Sequence, residues 1–92
     1  EGFGFGLKDV LRMLEEGRLG YVLVADEFLW QRIDDGDLDR VLRAAESGSI
    51  GIRVLLSGGE DHERVMGLGG VVGIDRATAS EMGLAREREG RY

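Results

Sequence analysis

The chain has 92 residues, 42% of them hydrophobic, with a formal charge of −6 from 18 acidic and 12 basic side chains. That is enough apolar material for one modest core and too much for a disordered chain. The absence of cysteine excludes disulfides, thiolate metal sites and cysteine nucleophiles, and the negative charge disfavours non-specific binding to nucleic acid or anionic membrane.

Residues 1–6 alternate glycine with Phe3 and Phe5, placing both rings on one face of an extended arm or edge strand. Leu7, Val10, Leu11 and Leu14 then follow helical spacing. Asp9 lies in the first turn, where the helix dipole favours negative charge, and Gly17 offers a left-handed stop. Gly20 to Ala25 is an almost unbroken apolar run, as in a strand buried on both faces, with Asp26 and Glu27 at its carboxyl end. Sites in open α/β sheets are built at that edge.

Phe28, Leu29, Trp30 and Ile33 fit one short helical turn under the sheet, with Trp30 either a core or lid aromatic or an exposed partner anchor. Asp34-Asp35-Gly36-Asp37 reads as a turn with Asp37 as N-cap, followed by a helix bearing Leu38, Val41, Leu42 and Ala45 on one face and ending near Gly48. Ile50 to Leu56 is a second strand, Ser57-Gly58-Gly59 a break, and Glu60 to Met66 a short helix with Val65 and Met66 facing inward. Gly69 and Gly70 supply a tight turn or a close backbone approach before a last strand at Val71 to Ile74.

Beyond it, residues 77–92 form a C-terminal helix or tail. Thr78 and Glu81 have capping-box spacing, and 86–92 read as a solvated or frayed end. This alternation predicts a single α/β domain over 1–92, with helices on both faces of a largely parallel sheet. A start at Glu1 instead of methionine suggests a piece of a longer protein. No apolar run approaches the roughly 20 residues of a membrane span.

The reactive side chains are sparse. The acids at Asp26, Glu27, Asp34, Asp35, Asp37 and Asp39 lack the spacing of a calcium loop, so no metal is expected. An isolated Asp26 without an acidic pair and a later lysine does not make a phosphoacceptor site; Lys8, the only lysine, stands too early. His62 sits among Glu60, Asp61 and Glu63 and reads as a surface histidine in a first helical turn; a hydrolase would need it to meet Ser57 or an acid in a pocket. Ser57-Gly58-Gly59-Glu60 lacks the lysine and spacing of a phosphate loop. Gly2 to Gly6 is no dinucleotide fingerprint, having no strand before it. The residues themselves therefore point to neither catalysis nor a cofactor.

Several segments, in order, resemble a known family. Phe5-Gly-Leu-Lys-Asp-Val10 looks like an aromatic-glycine entry to the first helix, and Leu14-Glu-Glu-Gly-Arg-Leu19 like its end. Tyr21-Val-Leu-Val-Ala-Asp-Glu-Phe28 resembles the strand that ends in a small residue, an acid and apolar residues. Ser57 to Val65 resembles the segment before the last helix, with Glu63 where glycine is common, and Leu68-Gly-Gly-Val-Val-Gly-Ile74 resembles the glycine-paired terminal strand. Together, over residues 3–76, they resemble the C-terminal domain of Pelota, the ribosome-rescue factor of archaea and eukaryotes, and its relatives the class 1 peptide-chain release factors. Asp75 departs from the pattern, replacing an apolar residue, and Ala77 stands near a position often aromatic. Phe28 to Asp37 leaves no room for the small domain inserted in release factors, which favours Pelota.

The resemblance implies the three-layer α/β/α sandwich with a mostly parallel mixed sheet found in kink-turn-binding ribosomal proteins. It also implies a cytoplasmic, non-catalytic protein-interaction domain for mRNA surveillance, docking a translational GTPase. The ribosome and a recycling ATPase would be partners of the full-length factor. On this reading Glu27, Phe28, Trp30, Glu60, Asp61 and His62 are the exposed partner contacts. Two alternatives stay open: the C-terminal domain of a peptide-chain release factor, or a kink-turn RNA-binding module using a patch from Arg40, Arg43, Arg53 and Arg64.

Overall fold

The computed structural model describes residues 2–84; the expectations for Glu1 and for 85–92 lie outside the described residues. The elements run β1 (Phe3–Phe5), α1 (Leu7–Glu15), β2 (Leu19–Ala25), α2 (Asp26–Gln31), α3 (Gly36–Glu46), β3 (Gly51–Leu55), α4 (Glu60–Gly67), β4 (Val71–Asp75) and α5 (Arg76–Glu81). The four strands form one mixed sheet in the order β1-β4-β2-β3, with helices on both faces, an α/β sandwich.

The sheet is less parallel than the alternation of elements predicts. Only β2 and β3 run parallel; β4 is antiparallel to both β2 and β1. The physical reason lies in α4. Its eight residues span about 12 Å at 1.5 Å per residue, comparable with the roughly 10 Å separating three neighbouring strands. It starts beyond the carboxyl end of β3, and the chain beyond it delivers Gly70 to that same end of β2, where the Gly70 carbonyl accepts from Ala25 N–H at 3.1 Å. The crossover spans the end of the sheet instead of running its length, so β4 must return in the opposite direction.

One face is closed by α1, with α3 packed beside it. Val10, Met13, Leu38 and Val41 share the main core with Val22, Val24 and Val71. Gly4 and Gly73 are register partners on this face, and a Cβ on either would meet the Met13 sulfur, at 2.7 Å and 3.3 Å respectively. Alternate positions point to the other face: Phe3, Phe5, Val72, Ile74, Tyr21 and Leu23. There α5 covers one end, with Ala79 packed on Tyr21 and Ile74, and α4 covers the other through Val65.

The turn into β4 needs both its glycines. Gly69 has φ +109° and a Cβ there would stand 2.9 Å from the Gly6 Cα; Gly70 has φ +88° and a Cβ there would enter the Phe28 ring. Two caps differ from expectation. Asp35, not Asp37, caps α3 by accepting from the Asp37 and Leu38 amides at 2.8 and 3.4 Å. Asp75, not Thr78, caps α5, accepting from Thr78 N–H at 2.8 Å, which holds the Asp75 carboxyl below the usual range.

Candidate functional site: the carboxyl edge of the parallel strands

Because β2 and β3 are parallel neighbours with Ala25 opposite Leu55, the residues that follow them emerge side by side. Asp26 opens α2 and Ser57 lies in the loop before α4. The Ser57 amide donates to one Asp26 carboxylate oxygen at 3.3 Å, and the Ser57 hydroxyl donates to the other at 2.9 Å. His62, one turn into α4, is buried with 5% of its surface exposed. Its Nε2 lies 3.3 Å from Asp26 Oδ1 and 3.8 Å from Glu27 Oε1, but the approach is not aligned for a hydrogen bond, so Nε2 has no hydrogen-bond partner among the described residues.

Partial desolvation works to raise the Asp26 pKa; the two Ser57 hydrogen bonds, the nearby His62 imidazole and the Glu27 amide outweigh it and hold the carboxyl below its ordinary value. Asp26 is therefore an ionised clamp joining the β2–α2 junction to the β3–α4 loop. In this cluster Asp26 stands between serine and histidine. The Ser57 hydroxyl donates its hydrogen bond to a carboxylate, and among the described residues no imidazole hydrogen bond reaches the hydroxyl, so the activated-nucleophile geometry is not formed. Among the described residues no group of three His, Asp or Glu side chains is arranged to hold a metal ion.

The six residues expected as exposed contacts separate into three groups. Glu27, Trp30 and Glu60 lie at this edge and are exposed, Trp30 at 74%. Asp61 is exposed but lines a groove on the open sheet face. Phe28 and His62 are buried, contrary to the sequence reading. The α2 turn cannot present Phe28 and Trp30 on one side, since residues two apart on a helix do not share a face. Phe28 turns inward against Gly70, with the Arg32 guanidinium 5.0 Å above its ring. His62 is three residues before the inward Val65, and that spacing was the available sign of its burial. The Ser57–Asp26 clamp was not anticipated, although the position of Asp26 at a strand end marked the edge where it forms.

The four arginines of the RNA-binding alternative do not form one patch. Arg40 and Arg43 lie on α3 and are paired with Glu15 at 3.1 Å and Asp39 at 2.8 Å; Arg53 and Arg64 line the groove on the opposite face.

No family model matches the chain, and no curated protein matches it by sequence. Solved structures do. Pelota of Archaeoglobus fulgidus is 30% identical with a TM-score of 0.74, over 83% of this chain and 24% of that one. The chain is a Pelota-like domain. Ribosome-bound archaeal Pelota, in a structure that also holds ABCE1, is 28% identical to the Pelota-like domain with a TM-score of 0.68, over 80% of this chain and 20% of that one. The archaeal translation termination factor aRF1 is 25% identical with a TM-score of 0.58, over 80% of this chain and 20% of that one. The Pelota-like domain thus spans about a quarter or less of the length of the chains it matches.

Proposed function

We propose that this domain is the protein-interaction module of a ribosome-rescue factor, that it docks a translational GTPase of the elongation-factor type, and that it carries no catalysis of its own. The full-length factor would act in the cytoplasm with the ribosome and a recycling ATPase. The observation that carries this reading is the match to Pelota, including Pelota bound to the ribosome together with ABCE1. The edge of β2 and β3 supplies a suitable surface. Trp30 is a large exposed anchor, Glu27 stands one helical turn before it on α2, and Glu60 adds a further exposed carboxylate at the start of α4. Phe28 and His62 act from beneath, holding α2 and α4 in place. No helix among the described residues is long and apolar enough to cross a membrane.

The test is the affinity of the full-length factor for its GTPase. Trp30→Ala should weaken binding by tenfold or more with an unchanged thermal melt, because an exposed side chain contributes little to folding. Unchanged affinity in a folded variant would remove Trp30 from the interface. A steeply salt-dependent affinity for kink-turn RNA would favour the RNA-binding alternative instead.

A further inference from the structure

The sheet face opposite α1 carries an apolar groove of about 430 Å³, within the size range of ligand-binding clefts. Its floor is Phe3, Phe5, Val72 and Leu23, one residue row after another across β1, β4 and β2. Phe3 and Phe5 are stacked with ring centroids 6.4 Å apart, yet 45% and 48% exposed, and Leu68 on the rim is 44% exposed. Among the described residues helices cover this face only at its ends, so the groove is a gap in their helical layer.

The charges around the gap are particular. Arg53 approaches from β3 and Arg64 from α4, with Asp61 as the opposing charge. Among the described residues Arg53 and Arg64 have no carboxylate within ion-pair reach, whereas Arg12, Arg18, Arg32, Arg40 and Arg43 are each paired and Arg76, also without an ion pair, donates to the Gly17 carbonyl. In a chain of net charge −6, two arginines without such a partner beside exposed aromatic rings make a local positive rim on an apolar floor. A second copy of the chain, itself at −6, is a poor electrostatic match as a whole.

We infer that this groove is a second interaction surface, and that its occupant is an acidic amphipathic helix of a partner protein. The apolar face of that helix fills the gap between α4 and α5, and its flanking carboxylates pair with Arg53 and Arg64. The inference does not rest on the GTPase-docking reading, which concerns the edge near Trp30.

The experiment is a selection against the 92-residue chain from a displayed library of helical peptides, with leucine fixed along one face and glutamate or lysine allowed at each flanking position. Glutamate should be enriched at the flanks. The selected peptide should bind at least tenfold more weakly to an R53E/R64E variant and several-fold more weakly to Phe5→Ala, and should perturb the NMR signals of Phe3, Phe5, Leu23 and Val72. Equal enrichment of lysine, no enrichment, or perturbation centred on Trp30 would overturn the proposal. So would a change in the same groove signals when residues 85–92 are removed, which would make the chain its own occupant. A dimer in sedimentation that loses these contacts with R53E/R64E would assign the groove to a second copy and equally overturn it.

Discussion

The two faces of the four-stranded sheet are built from alternate residues of the same strands, yet one is closed and the other open. On the α1 face the strands contribute small residues at the crossing point, Gly4 and Gly73, and the helix sinks onto them through Met13. On the opposite face the same strands contribute Phe3, Phe5, Val72 and Leu23, and among the described residues helices reach only the two ends. Large side chains without a covering helix leave apolar surface in water, whereas glycines beneath a helix bring backbone and side chain into dense contact. The closed face therefore holds most of the core, while the other face buries Tyr21, Val72 and Ile74 and leaves Phe3 and Phe5 half exposed.

The largest difference between the faces should appear on truncation. Leu19, 1% exposed beneath α1, should lose about 3 kcal/mol of stability as alanine, within the range for buried leucines, by chemical denaturation. Gly70→Ala should cost about 2–3 kcal/mol, because the new Cβ meets the Phe28 ring and the backbone has positive φ, a conformation closed to most L-residues. Phe5→Ala on the open face should change stability by no more than about 0.5–1 kcal/mol. If Phe5→Ala destabilised as much as Leu19→Ala, the groove side of the sheet would be core like the α1 side.

A smaller effect comes from the clamp at the strand edge. The Asp26 carboxyl is held below its ordinary value in the folded protein, so the folded state binds fewer protons there than the unfolded chain. Its contribution is complete above the unfolded value near pH 3.9 and is lost as pH falls through the lower folded value. Asp26→Asn should flatten that part of the stability profile between about pH 5 and pH 2, measured by urea titration at each pH. A parallel profile for wild type and variant would show that the clamp does not differ between folded and unfolded states.

Much of the framework was legible in the sequence. The spacing of Leu7, Val10, Leu11 and Leu14 marks α1, and the apolar run to Ala25 marks β2, because local periodicity carries both. The paired glycines before Val71 marked the turn whose φ angles require them. The direction of β4 was not legible, since it depends on how α4 crosses the end of the sheet and no local pattern records that. The cap at Asp35 was hidden among three neighbouring aspartates. The site was only partly legible: Asp26 stood at a strand end, but its bond to Ser57 joins residues 31 apart and follows from strand pairing alone. His62 was misjudged because its acidic neighbours suggested a surface position, while its spacing from Val65 governed its burial.

Docking of a GTPase at the edge around Trp30 is read by amide NMR of the 92-residue chain as the GTPase of the source organism is added. Glu27, Trp30 and Glu60 should shift or broaden first while Phe3, Phe5 and Val72 stay unmoved. Perturbation confined to the groove residues, with the Trp30 edge silent, would rule that edge out as the docking surface.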